Sequence, residues 1–196
     1  MLAQTIFPAV RMLFILTLVT GLLYPGLVTL AAVPFVPVQA EGSLIDVDGV
    51  IVGSALVGQA NQDPRYFWPR PSAVDYMAGS NAAQLGSSGA TNYGVTNATL
   101  VETAQRRRAD FRAAHGLAAD TTVPPEMLFA SGSGLDPHIS PEAALLQAER
   151  VAAARTLNPT QVTALVDRYT EARQWGFLGE PRVNVLLLNL ALDRLE

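Results

Sequence analysis

From Met12 to Ala40 no side chain carries a charge. The run MLFILTLVTGLLYPGLVTLAAVPFV exceeds the ~20 apolar residues needed to cross a bilayer. Arg11 stands before it and Glu41 follows it. One Arg on the N-terminal side, with none just after the run, favours a cytoplasmic N-terminus. The chain then divides into a short cytoplasmic N-terminus (1–11), a transmembrane helix (12–35) and an extracytoplasmic, periplasmic domain (36–196). A cleaved signal peptide is the competing reading, with Val38-Gln39-Ala40 as a small-residue cleavage site. A signal's apolar core spans only ~7–15 residues, so a retained anchor is expected.

Tyr24-Pro25-Gly26 interrupts the run. A proline there frees a backbone carbonyl, which in lipid needs a partner. Gly21 and Gly26 permit close approach of a neighbouring helix. Gly21, Tyr24, Pro25 and Gly26 are therefore candidates for helix packing in the membrane; a mild kink is the other reading.

The remainder is expected to fold. Half of the chain is hydrophobic (49%) and only 15% is charged, a composition opposite to that of disordered proteins. Its side chains exclude several chemistries. All 13 cationic residues are Arg. Without Lys there is no phosphate-loop lysine and no Schiff base. Without Cys there is no disulfide, thiolate nucleophile or Cys-ligated metal. Two histidines, His115 and His138, are too few for a multi-histidine metal site, so no metal is expected. A net charge of −4 gives no global reason to bind nucleic acid.

Ser43–Gln59 reads as β structure, with Asp48-Gly49 as a hairpin turn. Asp63–Ala73 (DPRYFWPRPSA) has three prolines and three aromatics. It is expected to be an ordered loop, its aromatics packed and Arg65 and Arg70 available for ion pairs. Gly79–Asn97 is a long Gly/Ser/Asn/Thr stretch of irregular type. Asn97 is a candidate cap for a helix over Ala98–His115, ended by Gly116, with Leu100, Val101, Ala104 and Phe111 on one side. Arg106-Arg107-Arg108 and Arg112 form a basic patch on it, read either as a solvated face or as a contact for an acidic partner or lipid headgroups. Leu117–Phe129 reads as a linker.

Ser140 and Pro141 open a second helix, with Ala144, Leu145, Ala148, Val151 and Ala152 as its apolar stripe. Asn158-Pro159, with Gln161 completing a capping box, opens a third. Its inward positions are Val162, Leu165, Val166 and Tyr169, and the short turn between the two helices predicts a helical hairpin. RVNVLLLNLALDRL starts β-like at Val183 and Val185 and should be buried. The expected architecture is a single N-terminal transmembrane helix plus one extracytoplasmic α+β domain.

Ser131-Gly132-Ser133-Gly134 invites comparison with a phosphate loop. It lacks the lysine of a Walker A motif, although backbone amides of such a loop can hold an anion. A tight structural turn or a partner contact is the stronger reading. Ser131, Asp136 and His138 include the residue types of a hydrolase triad, but Asp136 and His138 are two apart and no Gly-x-Ser-x-Gly elbow is present. Local hydrogen bonds from Asp136 and His138 that fix the loop are expected instead.

Several segments together resemble the C subunit of the bacterial Kdp potassium-transporting P-type ATPase, the KdpC family. They are Tyr24-Pro25, Gly42–Leu44, GSALVGQ (53–59), YFWPRPSA (66–73), ASGSGLDPHISPEAA (130–144), RVAAAR (150–155) and PRVNVLLLNLALD (181–193). Ala60, Glu41 and the SSGATNYG stretch depart from the family pattern. The resemblance implies an accessory, non-catalytic subunit of an ATP-driven potassium uptake complex. Its partners would be a channel-like potassium-binding subunit, a P-type catalytic subunit and the lipid bilayer. ATP and the potassium ion act in that complex, with no cofactor held by this chain. The family is also credited with raising the ATP affinity of the catalytic subunit, which conflicts with a bulk placed outside the cytoplasm. An assembly and ion-entrance role is therefore preferred. The alternative is a stand-alone, membrane-anchored extracytoplasmic binding or hydrolytic module. Candidate partner-contact or loop-defining residues are Ser131, Gly132, Ser133, Gly134, Asp136, His138, Arg70 and Ser72.

Overall fold

A computed structural model describes residues 2–74, 76 and 88–195. It divides into two compact units, Met1–Val52 and Gly53–Glu196. The division falls later than the boundary at residue 36 expected from hydropathy, because a hairpin groups with the helical unit.

In the first unit, α1 spans Leu2–Leu18 and α2 spans Tyr24–Phe35, joined by a π-helical turn over Val19–Leu23. Helix therefore begins well before residue 12, at Leu2, and runs through Pro8. Thr5–Phe35 is long and apolar enough to cross a membrane. The π turn answers the question posed by Pro25. Pro25 has no N–H to give, and the backbone responds with a wider turn in which the Tyr24 N–H reaches the Val19 carbonyl. Thr20 Oγ1 donates to the Leu16 carbonyl at 2.7 Å in the same stretch. Gly21, Tyr24 and Gly26 all lie on exposed helix surface. A short helix α3 (Pro37–Ala40) leads to strands β1 (Leu44–Val47) and β2 (Val50–Ser54). Asp48 and Gly49 turn the hairpin with φ of 54° and 81°, the geometry of a tight two-residue connection.

The second unit is built around a helical hairpin. Helix α4 runs Ala98–Ala114, with the Asn97 side chain accepting the Leu100 N–H. Helices α5 (Pro141–Arg155) and α6 (Pro159–Arg168) pack on each other, and α7 (Val185–Asp193) packs on α6. Ser140 caps α5, and Asn158 with Gln161 forms the capping box of α6. Strands β3 (His138–Ile139), β4 (Thr170–Glu171) and β5 (Arg182–Asn184) form an antiparallel sheet in the order β3-β5-β4. The core joins Phe67, Val151, Val162, Val166, Val183, Leu188 and Leu192, all fully buried.

Several expectations are corrected. Leu145 and Val101 are exposed rather than inward-facing. In α5 the inward place is taken by Gln147, which is fully buried and hydrogen-bonded to the backbone of Trp68. The basic patch on α4 is divided. Arg107 donates to the Leu128 carbonyl and Arg112 to that of Thr121, leaving Arg106 and Arg108 on the exposed face. The segment Leu117–Phe129 is no passive linker, since Val123, Met127 and Leu128 are buried in the core. Val185 starts a helix rather than continuing the strand, because the Asn184 side chain caps it by accepting the Leu187 N–H. The 79–87 part of the expected irregular loop lies outside the described residues.

Candidate functional site: a pinned loop and its clasp

The segment 130–140 is crossed by 66–74, and the two are tied together by side chains. Arg70 Nη1 donates to Asp136 Oδ2 at 2.7 Å. Ser72 Oγ donates to the Gly134 carbonyl at 2.7 Å and accepts the Val74 N–H. Asp136 Oδ1 accepts the His138 N–H at 3.0 Å and lies 3.4 Å from His138 Nδ1. Burial alone would raise the Asp136 carboxyl, but hydrogen bonds from His138 and the Arg70 guanidinium outweigh it and hold the pKa at about 2. Seven of the eight candidate residues, all but Gly132, thus fall into two hydrogen-bonded groups, Arg70–Asp136–His138 and Ser72–Gly134–Ser131–Ser133.

Backbone bonds pin the loop from further sides. The Gly58 N–H reaches the Leu135 carbonyl at 2.8 Å, and the Gly89 N–H reaches that of Ser133 at 2.8 Å. The Val185 N–H reaches the Pro137 carbonyl at 3.0 Å, while His138 and Ile139 pair with Asn184 and Val183. Gly134 holds φ +71°, and a Cβ there would meet the Gly89 carbonyl oxygen at 2.5 Å. A side chain at that position is excluded twice, by backbone angle and by space. Gly58 is needed for close approach alone: its Cβ would lie 2.8 Å from the Asp136 carbonyl oxygen. Gly132 has ample room and no left-handed angle.

The serines act on their own turn. Ser131 Oγ accepts the Gly134 N–H at 2.9 Å and Ser133 Oγ accepts the Leu135 N–H at 3.1 Å. Ser131 Oγ faces Ser133 Oγ at 3.3 Å rather than an imidazole. The arrangement is a set of hydroxyl-closed turns, not a nucleophile beside its base. Gly132 and Ser133 are exposed on an open depression of about 660 Å³ that also touches Leu56, Val57 and Arg70.

Sequence reasoning missed the clasp beneath this loop. The Phe67 N–H and carbonyl are both bonded by the Asn189 side chain, at 2.8 and 3.0 Å. Those of Trp68 are bonded in the same way by Gln147, at 2.7 and 3.2 Å. Two buried amides therefore do for this loop what a neighbouring strand does in a sheet. Arg150 donates to the carbonyls of Pro64 and Tyr66 and lies 4.6 Å over the Trp68 ring. Burial draws its pKa down to about 10, against the pull of Asp63. Arg155 donates to the Arg65 carbonyl and stacks 4.5 Å over Tyr66. The visible signals were polar residues at inward positions: Asn189 inside LLLNLAL and Gln147 inside AALLQAERV.

Comparison with known proteins settles the family. The family model described as K+-transporting ATPase, c chain, matches residues 6–194. The chain belongs to the KdpC family. A relative from Methylococcus capsulatus, named Potassium-transporting ATPase KdpC subunit, is 52% identical over 96% of this chain and 97% of its own length. Relatives of the same name from Dechloromonas aromatica and Gemmatimonas aurantiaca are 50% and 49% identical, covering 95% and 98% of this chain and 95% and 94% of theirs. As a KdpC-family chain it is a component of the Kdp potassium-transporting ATPase, anchored to the membrane by the apolar helix Thr5–Phe35.

Proposed function

We propose that this chain is an accessory, non-catalytic subunit that stabilises the Kdp complex, presenting the 130–140 loop as a rigid contact for a partner subunit. One observation carries the reading. The polar side chains of the loop are directed at its own backbone and at the 70–72 segment, so they fix a shape. A loop held by so many mutually consistent bonds loses little entropy when it docks. In this reading Gly132 and Ser133 touch the partner, Arg70, Ser72, Gly134, Asp136 and His138 define the loop, and Ser131 does both.

The partners in this reading are the channel-like potassium-binding subunit and the P-type catalytic subunit. Residues 12–35 cross the bilayer, with 1–11 on the cytoplasmic side and 36–196 on the periplasmic side. Arg11 ahead of the uncharged run supports that orientation. It separates the loop from cytosolic ATP, so a part in assembly and at the ion entrance is favoured over a part in ATP affinity. Gly21, Tyr24, Pro25 and Gly26 pack against a partner helix, supported by the π turn beside them.

The test is recovery. The full-length tagged chain, solubilised from membranes expressing the whole Kdp system, should bring down both large subunits. Recovery of the chain alone under conditions that preserve pump activity in the membrane extract would overturn the proposal.

A further inference from the structure

Trp175 is 85% exposed and Phe177 68%, with Leu178 beside them at 42%. They sit at the tip of the excursion between β4 and β5, in the uncharged sequence QWGFLG (174–179). Backbone hydrogen bonds close the tip. Gln174 and Leu178 exchange two backbone hydrogen bonds, both 2.9 Å, and the Phe177 N–H reaches the Gln174 carbonyl. At its base, Thr170 pairs with Val183 and Glu171 with Arg182. Trp175 itself holds φ 52°, a left-handed angle that is costly for a bulky residue. The chain thus strains its backbone to display an indole that adds almost nothing to its own core.

The surroundings indicate what receives it. Arg173 pairs with Glu180, and Arg182 with Glu171. Two cations and two acids therefore flank the tip. Bilayer-seeking elements carry a cationic collar for anionic headgroups, and this collar is neutral. Aromatic anchors ringed by a polar, balanced rim are instead the anatomy of a protein–protein hot spot. The tip also shares its sheet with the candidate site: β5 holds β4 on one side and β3, the end of the pinned loop, on the other. We propose that the 174–179 tip is a second docking element, inserting Trp175 and Phe177 into an uncharged apolar pocket on another Kdp subunit.

The inference rests on the assembly reading above, and its test separates the two. In membranes expressing the whole Kdp system, the W175A F177A chain should recover at least about tenfold less of the partner subunit than the unaltered chain. Its own level in the membrane should be unchanged. A photo-reactive p-benzoyl-phenylalanine in place of Phe177, in an otherwise unaltered chain, should cross-link to another Kdp subunit. Cross-links only to lipid or to a second copy of this chain would overturn the inference, as would full recovery by W175A F177A. Failure of the unaltered chain to recover any partner would overturn the assembly reading as well.

Discussion

His115 is a buried titratable residue of the core. It is 7% exposed, stacked on Phe111 at 4.0 Å and met edge-on by Trp68 at 5.0 Å. Its Nδ1 is 2.7 Å from the Phe111 carbonyl, so the neutral ring carries its proton there. Burial, aided by Arg150, lowers its pKa to about 4 against the opposing pull of that carbonyl. In the unfolded chain it returns to ~6.5. Its stabilising contribution is therefore complete above pH ~6.5 and is lost as pH falls towards 4, because the unfolded state takes up the proton first. The span corresponds to about 3 kcal/mol. Thermal unfolding of the full chain in detergent should lose stability over that window. H115F should flatten the loss, and an unchanged profile in H115F would assign it elsewhere. Asp136, held at about 2, adds its own loss only below pH ~4.

At the scale of elements, the clasp makes the sharpest prediction. Asn189→Leu keeps the branched outline of the side chain and improves the helix propensity of α7, but strips both partners from the Phe67 backbone. A buried unpaired backbone group costs ~1–3 kcal/mol. Asn189→Leu should therefore destabilise the full chain by several kcal/mol in denaturant titration, far more than Leu145→Ala on the exposed face. Comparable losses in the two variants would contradict the clasp. Elements with local punctuation were legible in the sequence. Asn97, Ser140 and Asn158 announce their helices, and Asp48-Gly49 announces its hairpin, because a cap or turn is a contact between near neighbours. β3 was not legible: two residues between Pro137 and Pro141 show no alternation, and the strand exists only because β5 lies beside it. The same holds for the site. Its residue types could be picked from ASGSGLDPHISP, but pairing Arg70 with Asp136 across 66 positions, or Asn189 with Phe67 across 122, is a tertiary fact.

At the scale of the whole molecule, two claims are exposed to measurement. The orientation predicts that alkaline phosphatase fused at the C-terminus is active and stays with the membrane. An inactive fusion, or a domain released to the periplasm, would contradict an N-in retained anchor. The central claim is that the 130–140 loop serves assembly through its shape. Its most direct measurement is the yield of intact Kdp complex, with ATP turnover per complex, for Gly134→Val and Asp136→Asn. Gly134→Val collides with Gly89 and Val74 and forbids the φ of +71°, so its yield should collapse. Asp136→Asn keeps the side-chain shape and an acceptor for His138, so its yield should fall far less, and turnover per assembled complex should stay within a few fold for both. Normal assembly by Asp136→Asn with turnover abolished would make the loop a chemical site and contradict the account.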